Sequence, residues 1–447
     1  MTYPLHETGR KITPKADEVT AAGRDGHHGV DFDRRSFLLS LPVAIGAAAL
    51  APAFMEESQK STAMTSASKS IDRNPRWYGF NLLEYFSTDS DWMKYFPYRN
   101  DGIFLEDDFR WMRDWGFNFA RLPMDYRFWT DSNDLMKIKE REVEPIDRAI
   151  RLGEKYGVHV NISLHCAPGF CILDDMDPVV TGIRVTPEKT SFYKDPHTLD
   201  AFVHQWSFFA QRYKGISNDR LSFNLVNEPA LRLTPAERAE LTESLEDKSQ
   251  EAIDREVEAR GAKVYARVAR AAIDGIRGID PERMIVSDGC AVAKTPVAEL
   301  VSTGVLQSPH DYYPPELTTY KGEWAREWLT RAEPPTWPLK DSQGKVITDR
   351  RSIEDFLQPW RGMLDKRVPI HVGEMGCYKY TPPQVVLAWF DDSLDVIGEL
   401  DSGWALWNFR GPFGILDTER TGTKYKPWHG HQLDRPLLDL LRKKVKS

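Results

Sequence analysis

From about Asn74 onward the chain repeats one alternation, in which a short β-branched or aromatic run gives way to a segment with apolar residues every three or four positions. The first run is WYGFNLL (77–83), followed by a helical pattern over 106–115 with Phe109, Met112 and Trp115 on one side. FNFARLP (117–123) precedes a helix near 142–156, and VHVNISLH (158–165) precedes one over 199–213. RLSFNLVNEP (220–229) leads to a helix over 264–276, and RMIVSDG (283–289) to a short one near 296–302. VLQSPH (305–310) is the weakest strand pattern. VPIHVGEMG (368–376) and SGWALWNF (402–409) precede helices over 383–400 and 437–444. Strands separated by helices of this length predict a parallel sheet with crossover connections. Eight such units predict an α/β fold of the closed (β/α)8 barrel type, a TIM barrel. An open doubly wound sheet would need a glycine-rich phosphate turn after the first strand, and NLLEYF has none.

The longest connections follow strands 1, 3, 4 and 6. In a barrel these loops sit at the C-terminal face, where active sites are built. Within the charged stretch 231–260, Thr234-Pro235-Ala236-Glu237 reads as a capping box with proline at the first helical position, so inserted helices are expected there. The stretch 311–340 is rich in Pro, Trp and Tyr and could wall a cleft.

Before Asn74 the pattern differs. Residues 37–55 carry no charge and follow Asp33-Arg34-Arg35-Ser36-Phe37-Leu38-Leu39, which resembles a twin-arginine export signal. Ala51-Pro52-Ala53 provides an A-x-A-like cleavage site. Residues 1–53 are therefore expected to be a signal segment, with an uncleaved membrane anchor as the alternative. Residues 54–73 lack apolar periodicity and read as a flexible linker, leaving 74–447 for the barrel. Export to the periplasm or outside the cell is expected, without stable membrane association after cleavage.

Composition narrows the function. Lys plus Arg is 59 against 67 for Asp plus Glu, a net charge of −8 without a basic run, which argues against a nucleic-acid partner. Four cysteines in 447 residues exclude a disulfide-built scaffold. The 14 tryptophans suit either a large core or a cleft whose ring faces pack on pyranose rings.

If the runs close into a barrel, their C-terminal ends bring together Arg121, His165, Asn227, Glu228, His310, Tyr312, Glu374 and Trp407. Two carboxylates buried in one cavity are costly and need a reason. Glycoside hydrolysis supplies one: one carboxylic acid protonates the leaving oxygen while a second carboxylate attacks the anomeric carbon. Two structural carboxylates paired with Arg121 and a lysine are the alternative.

The segments ARLP (120–123), His165, LVNEP (225–229), His310-Asp311-Tyr312, VGEMG (372–376) and WALWNF (404–409) together resemble glycoside hydrolase family 5, the cellulase family, over the chain from about residue 75 to its end. One departure is Met375, where that family usually carries an aromatic residue. The resemblance implies that Glu374 is the nucleophile, kept ionised by Arg121 and Tyr312. It makes Glu228 the acid/base, with Asn227 holding the sugar 2-hydroxyl. His165 and His310 would contact sugar or orient the carboxylates, and Trp407 would lie beneath the reacting sugar. No cofactor and no metal is expected; His429-Gly430-His431 lies too late in the chain for a barrel metal site. Glu84, Tyr85, Asp125 and Tyr126 could touch distal sugars, and Cys166 and Cys171 could be bridged or free.

The implied activity is retaining hydrolysis of a polysaccharide or oligosaccharide, endo-β-1,4-glucanase-like, by a monomer. The same chemistry on β-mannan, xyloglucan or β-1,3-glucan is the alternative, and a non-catalytic carbohydrate-binding barrel is the alternative of another class. With no further module expected after the barrel, crystalline polymer is the less suitable substrate.

Overall fold

Each apolar run forms a strand buried on both faces, and the strands occur in the expected order. The structure is a computed structural model that describes residues 74–88, 102–172, 191–325 and 333–446. The expected signal segment 1–53 and linker 54–73 lie outside the described residues. The strands are β1 (Tyr78–Asn81), β2 (Phe119–Asp125), β3 (His159–Ala167), β4 (Leu221–Asn224), β5 (Ile285–Asp288), β6 (Leu306–Ser308), β7 (Glu374–Met375) and β8 (Trp404–Leu406).

Seven of them hydrogen-bond in one parallel path, β8-β1-β2-β3-β4-β5-β6. Residues 370–375 close the remaining gap. Gln307 pairs with Ile370, His310-Asp311 with Glu374-Met375, and Val372 with Trp404, all in parallel. The sheet thus returns to β8, and the barrel has no open edge.

Alternation along the strands sorts the side chains. Phe80, Ala120, Leu122, Val160, Ile162 and Phe223 are buried on the helix side; Trp206 of a covering helix, for example, packs 5.3 Å from Phe223. The opposite face fills the barrel in two layers. The floor is a group of rings: Trp77 lies 4.0 Å from His159 and 5.2 Å from Phe119, and Phe119 lies 4.5 Å from His371. Nearer the C-terminal ends the filling is polar, with Asn81, Arg121, Ser163, Asn224 and Asp288 all buried.

The surrounding helices are α1 (Glu106–Trp115), α2 (Glu144–Tyr156), α3 (Pro196–Arg212), α4 (Pro235–Ser244), α5 (Gln250–Ile279), α6 (Arg350–Asp365), α7 (Pro383–Glu399) and α8 (Arg435–Lys446). Gly116 ends α1 in the left-handed conformation, φ 92°, where a Cβ would be strained. The capping box forms: Thr234 Oγ1 accepts from the Glu237 backbone N–H at 3.2 Å, and Glu237 Oε2 accepts from that of Thr234 at 2.8 Å. The expected short helix after β5 is a 3-10 helix, Ala298–Thr303.

Two features differ from the sequence expectation. Helix α6 follows β6, the one unit for which the sequence pattern gives no helix range; it buries Ile353, Leu357, Trp360 and Met363 at helical spacing, but Pro359 interrupts the pattern. Long connections also follow β2 and β8, and each carries a two-stranded hairpin, Thr130–Asp131 with Asp134–Ile138 and Lys426–Trp428 with His431–Leu433. Their polar, short strands carry little apolar alternation. Among the described residues no helix is long and apolar enough to cross a membrane.

Candidate active site

The C-terminal mouth of the barrel collects the expected residues. Arg121 is its hub. The side chain is fully buried, so every N–H needs an acceptor. Nε donates to Asn224 Oδ1 at 2.8 Å, Nη1 to Asn81 Oδ1 at 3.0 Å and to Glu374 Oε1 at 2.5 Å, and Nη2 to Asn227 Oδ1 at 2.8 Å. Nη2 also lies 3.4 Å from Asp288 Oδ2. Asn227 Nδ2 is buried and donates to no acceptor among the described residues.

Two carboxylates face each other across this hub. Tyr312 Oη donates to Glu374 Oε2 at 3.1 Å, while Glu228 Oε1 lies 2.7 Å from His310 Nδ1. Ligand atoms of Glu228, His310 and Glu374 all lie within 4.8 Å of one another, which puts one oxygen of each carboxylate within that distance. Glu374 is almost fully buried, whereas the Glu228 side chain is 12% exposed and so reachable from the cleft.

The backbone at Glu228 is unusual. Its φ of 45° is left-handed, which costs a non-glycine residue about 1–2 kcal/mol. Its N–H donates to Asp288 Oδ2 at 3.2 Å, and the next carbonyl, of Pro229, accepts from the Ala291 N–H at 3.2 Å. Beyond Asp288 the chain enters a second left-handed stretch, Ala291, Val292 and Ala293 at φ 53°, 54° and 55°.

The electrostatics follow from burial opposed by neighbours. Burial alone would discharge His310, but the charges of Glu374 and Asp288, with the hydrogen bond to Glu228, raise its pKa to about 10. Burial pushes Glu374 up, His310 and Arg121 pull it down, and the net displacement is upward. The donors expected at Glu374, Arg121 and Tyr312, are both present; Arg121 acts downward, and burial outweighs it. Asp288 is displaced downward, because His310 and Arg121 more than offset its burial. Burial, with Arg121 and His310, drives His165 far below its ordinary value. It is therefore neutral, packed 4.7 Å from Phe86 and 5.5 Å from Trp407, and its Nδ1 has no hydrogen-bond partner among the described residues.

Glu228, His310 and Glu374 are the one group among the described residues whose atoms could converge on a metal ion. The cluster already carries its own cations, Arg121 on Glu374 and an imidazolium facing all three carboxylates, so the donor set suits proton chemistry better than a metal.

Other candidates have structural work. Tyr85 is buried against Phe104 and Phe128 and donates to the Glu142 carbonyl at 2.8 Å, while Asp125 accepts from the Thr88 and Arg127 backbones. Tyr126 is buried and opens the 3-10 turn after β2. Cys166 and Cys171 form a disulfide, and Cys290 and Cys377 are buried thiols. His431 pairs with Asp417 at 2.6 Å and with Arg410. Met375 is buried.

The sequence reading passed over Asp288, Asn81 and Asn224. The strand-end rule that singled out Glu228 and Glu374 would have found Asp288, the last residue of β5. Asn81 and Asn224 interrupt otherwise apolar runs, a weaker signal.

Comparisons with known proteins agree on a family. The sequence profile of cellulase (glycosyl hydrolase family 5) matches residues 75–411. Endoglucanase C of Acetivibrio thermocellus is 21% identical over 344 residues, 72% of this chain and 88% of that protein. A crystal structure of a glycoside hydrolase is 33% identical, with TM-score 0.68, covering 82% of this chain and 99% of that one. The Thermotoga maritima Cel5A structure in complex with cellobiose has TM-score 0.55 at 19% identity and covers 82% and 97%.

Proposed function

This chain belongs to the cellulase family, glycosyl hydrolase family 5, and is a glycoside hydrolase; from that premise we propose that it cleaves internal β-1,4-glucosidic bonds with retention of configuration. The observation that carries the stereochemistry is the pair of carboxylate oxygens within 4.8 Å. Retaining enzymes place their carboxyl groups about 5–5.5 Å apart, whereas inverting enzymes need room for a water between them.

In the first step a Glu374 carboxylate oxygen attacks the anomeric carbon. The bond to the leaving oxygen breaks, and its electron pair takes the proton held by Glu228. In the second step water attacks the anomeric carbon and gives its proton to Glu228, and the bond to Glu374 breaks. Arg121 and Tyr312 orient Glu374 through bonds of 2.5 and 3.1 Å. The free Nδ2 of Asn227 is the donor for the sugar 2-hydroxyl, a contact that tightens as charge develops on the ring. His165 and Trp407, beside one another, form the apolar support of the reacting sugar.

Hydrolysis of soluble β-1,4-glucan, β-mannan, xyloglucan and β-1,3-glucan, with product lengths and anomeric configuration read by NMR, tests the reading. Early β-configured products of mixed length from β-1,4-glucan are expected. An α-configured first product would overturn the mechanism; preference for another glycan would move the substrate; binding without hydrolysis of any glycan would favour the non-catalytic barrel.

We also propose export by the segment around Arg34 and Arg35, with cleavage near Ala53, release of a monomer and no stable membrane association. The Cys166–Cys171 disulfide supports an oxidising destination. Arg34→Lys with Arg35→Lys should abolish export and leave the retained enzyme active; unchanged export would mean the motif is accidental.

A further inference from the structure

Asp288 ends β5, and its carboxylate is fully buried among the groups proposed for catalysis. Oδ2 accepts from the Glu228 backbone N–H at 3.2 Å and lies 3.4 Å from both Arg121 Nη2 and His310 Nε2, while Oδ1 accepts from Asn224 Nδ2 at 2.9 Å. We infer that Asp288 is a positioning residue for the acid/base: it fixes the left-handed backbone of Glu228 and holds His310 as the imidazolium that shares a proton with the Glu228 carboxylate.

Two independent contacts make the case. The first is to the backbone. Glu228 has φ 45°, a conformation that local sequence disfavours, so the surroundings must hold it. Asp288 takes the N–H on one side of the residue, and Ala291, three residues after Asp288, donates to the carbonyl of Pro229 on the other. One short segment at the end of β5 therefore grips both sides of the Glu228-Pro229 unit. That segment is itself left-handed at Ala291, Val292 and Ala293, so its shape too must be held by its surroundings.

The second contact is to His310. Its two ring nitrogens face different carboxylates: Nδ1 lies 2.7 Å from Glu228 Oε1 and 3.6 Å from Glu374 Oε2, and Nε2 lies 3.4 Å from Asp288 Oδ2. The 3.4 Å approach of Nε2 to Asp288 is an ion-pair distance and not an aligned hydrogen bond; a neutral imidazole would turn a lone pair toward one of these carboxylates, whereas imidazolium presents an N–H to each. The groups bearing on that ring are Glu228, Asp288 and Glu374, which favour its charge, and Arg121, which opposes it, with His165 and His371 neutral through burial. Asp288 is the carboxylate of the three with no covalent or proton-transfer step of its own. Its charge is constant through the cycle, whereas Glu374 loses its charge in the glycosyl-enzyme and Glu228 changes its own with each proton transfer.

This inference rests on the acid/base reading of Glu228, and the experiment separates the two. Asp288→Asn removes the charge and keeps the shape. With poorly activated substrates such as cellooligosaccharides, which need the proton, kcat should fall about 100-fold. With dinitrophenyl β-cellobioside, which needs little protonation, formation of the glycosyl-enzyme should fall less than about 5-fold. The alkaline limb of kcat/KM should move to lower pH by at least one unit, because the proton shared by the His310–Glu228 pair is less tightly held. Equal losses on both substrates with an unmoved limb would reduce Asp288 to a structural residue and overturn the inference. Should the variant misfold, the nitrogen-15 shifts of His310 in the wild type, assigned by difference with His310→Gln, decide the matter. Both ring nitrogens protonated at pH 8 supports the inference, and a neutral ring overturns it. Failure of the underlying reading looks different: wild type and Glu228→Gln would then show the same leaving-group dependence, whatever Asp288→Asn does.

Discussion

The floor and the mouth of the barrel bury the same residue type to opposite effect. His159 and His371 in the floor, like His310 at the mouth, are almost completely shielded from solvent. Burial lowers the floor pair to about 3, yet His310 stands at about 10. Hydrogen bonding fits each state. His159 uses one nitrogen toward the Asp219 carbonyl at 3.2 Å and the other toward Ser222 Oγ at 2.8 Å, which a neutral ring satisfies with one donor and one acceptor. His371 needs a single N–H, toward the Trp77 carbonyl at 3.1 Å. His310 has carboxylates on both sides. Burial sets the default of discharge, then, and only a concentration of opposite charge reverses it. The floor is built for packing; the mouth holds Arg121, His310, Glu228, Asp288 and Glu374 at the cost of desolvating all five.

The most severe way to break this contrast is to remove charge where the chemistry needs it. Glu374→Gln should reduce glycoside hydrolysis by about 10⁴- to 10⁶-fold, on every substrate that the wild type cleaves. Steady-state kinetics beside a wild-type control, with circular dichroism to verify folding, reads this. Retention of more than a hundredth of the activity would remove Glu374 from the nucleophile role.

Next in size is the hub. Arg121→Met leaves Glu374 and Asp288 buried without their common partner, and breaking such a buried pair costs about 3–5 kcal/mol. Urea unfolding at pH 7 measures it. A loss below about 1 kcal/mol would mean that the mouth relaxes and admits water.

The contrast is sharpened by pH. The floor histidines have folded values below their unfolded value, so between about 6.5 and 3 the unfolded chain binds more protons and stability falls as pH falls. His310 has its folded value above the unfolded one. Its contribution is complete below about 6.5 and is lost as pH rises through about 10. Each group gives a slope of up to about 1.4 kcal/mol per pH unit within its window. Unfolding series from pH 4 to 10 should therefore show a shallower acid limb in His159→Gln and a shallower alkaline limb in His310→Gln. Identical pH dependence in the two variants would refute the assignment of opposite charge states.

The smallest expected effect lies outside both layers. Thr234→Ala removes the cap of α4, which is worth about 1 kcal/mol, and should leave both pH limbs where they are. A shift in the limbs would show that the inserted helices couple to the mouth.

Much of this molecule is legible in one dimension. Strands bury both faces and helices bury one, so the alternation of 77–83 with 106–115 and its seven successors carries the barrel, and a strand's last residues carry its contribution to the mouth. Glu228, Glu374 and Arg121 are legible on those grounds, and the capping box at Thr234 from its own four-residue motif. Helix α6 was lost because Pro359 breaks its pattern, and the hairpins after β2 and β8 because two- to five-residue polar strands leave almost no alternation to read.

What tertiary structure alone decided is the state of each buried group. A strand-end position separates His310 from His159 and His371 in the sequence, but its charge is not written there; that depends on Glu228, Glu374 and Asp288, which lie 82, 64 and 22 residues from it along the chain. Nor does the sequence around Glu228 announce a φ of 45°, which depends on the end of β5. Periodicity and burial are properties of a segment and survive in its sequence. Charge state and strained backbone are properties of a neighbourhood, and the neighbourhood exists only once the barrel has closed.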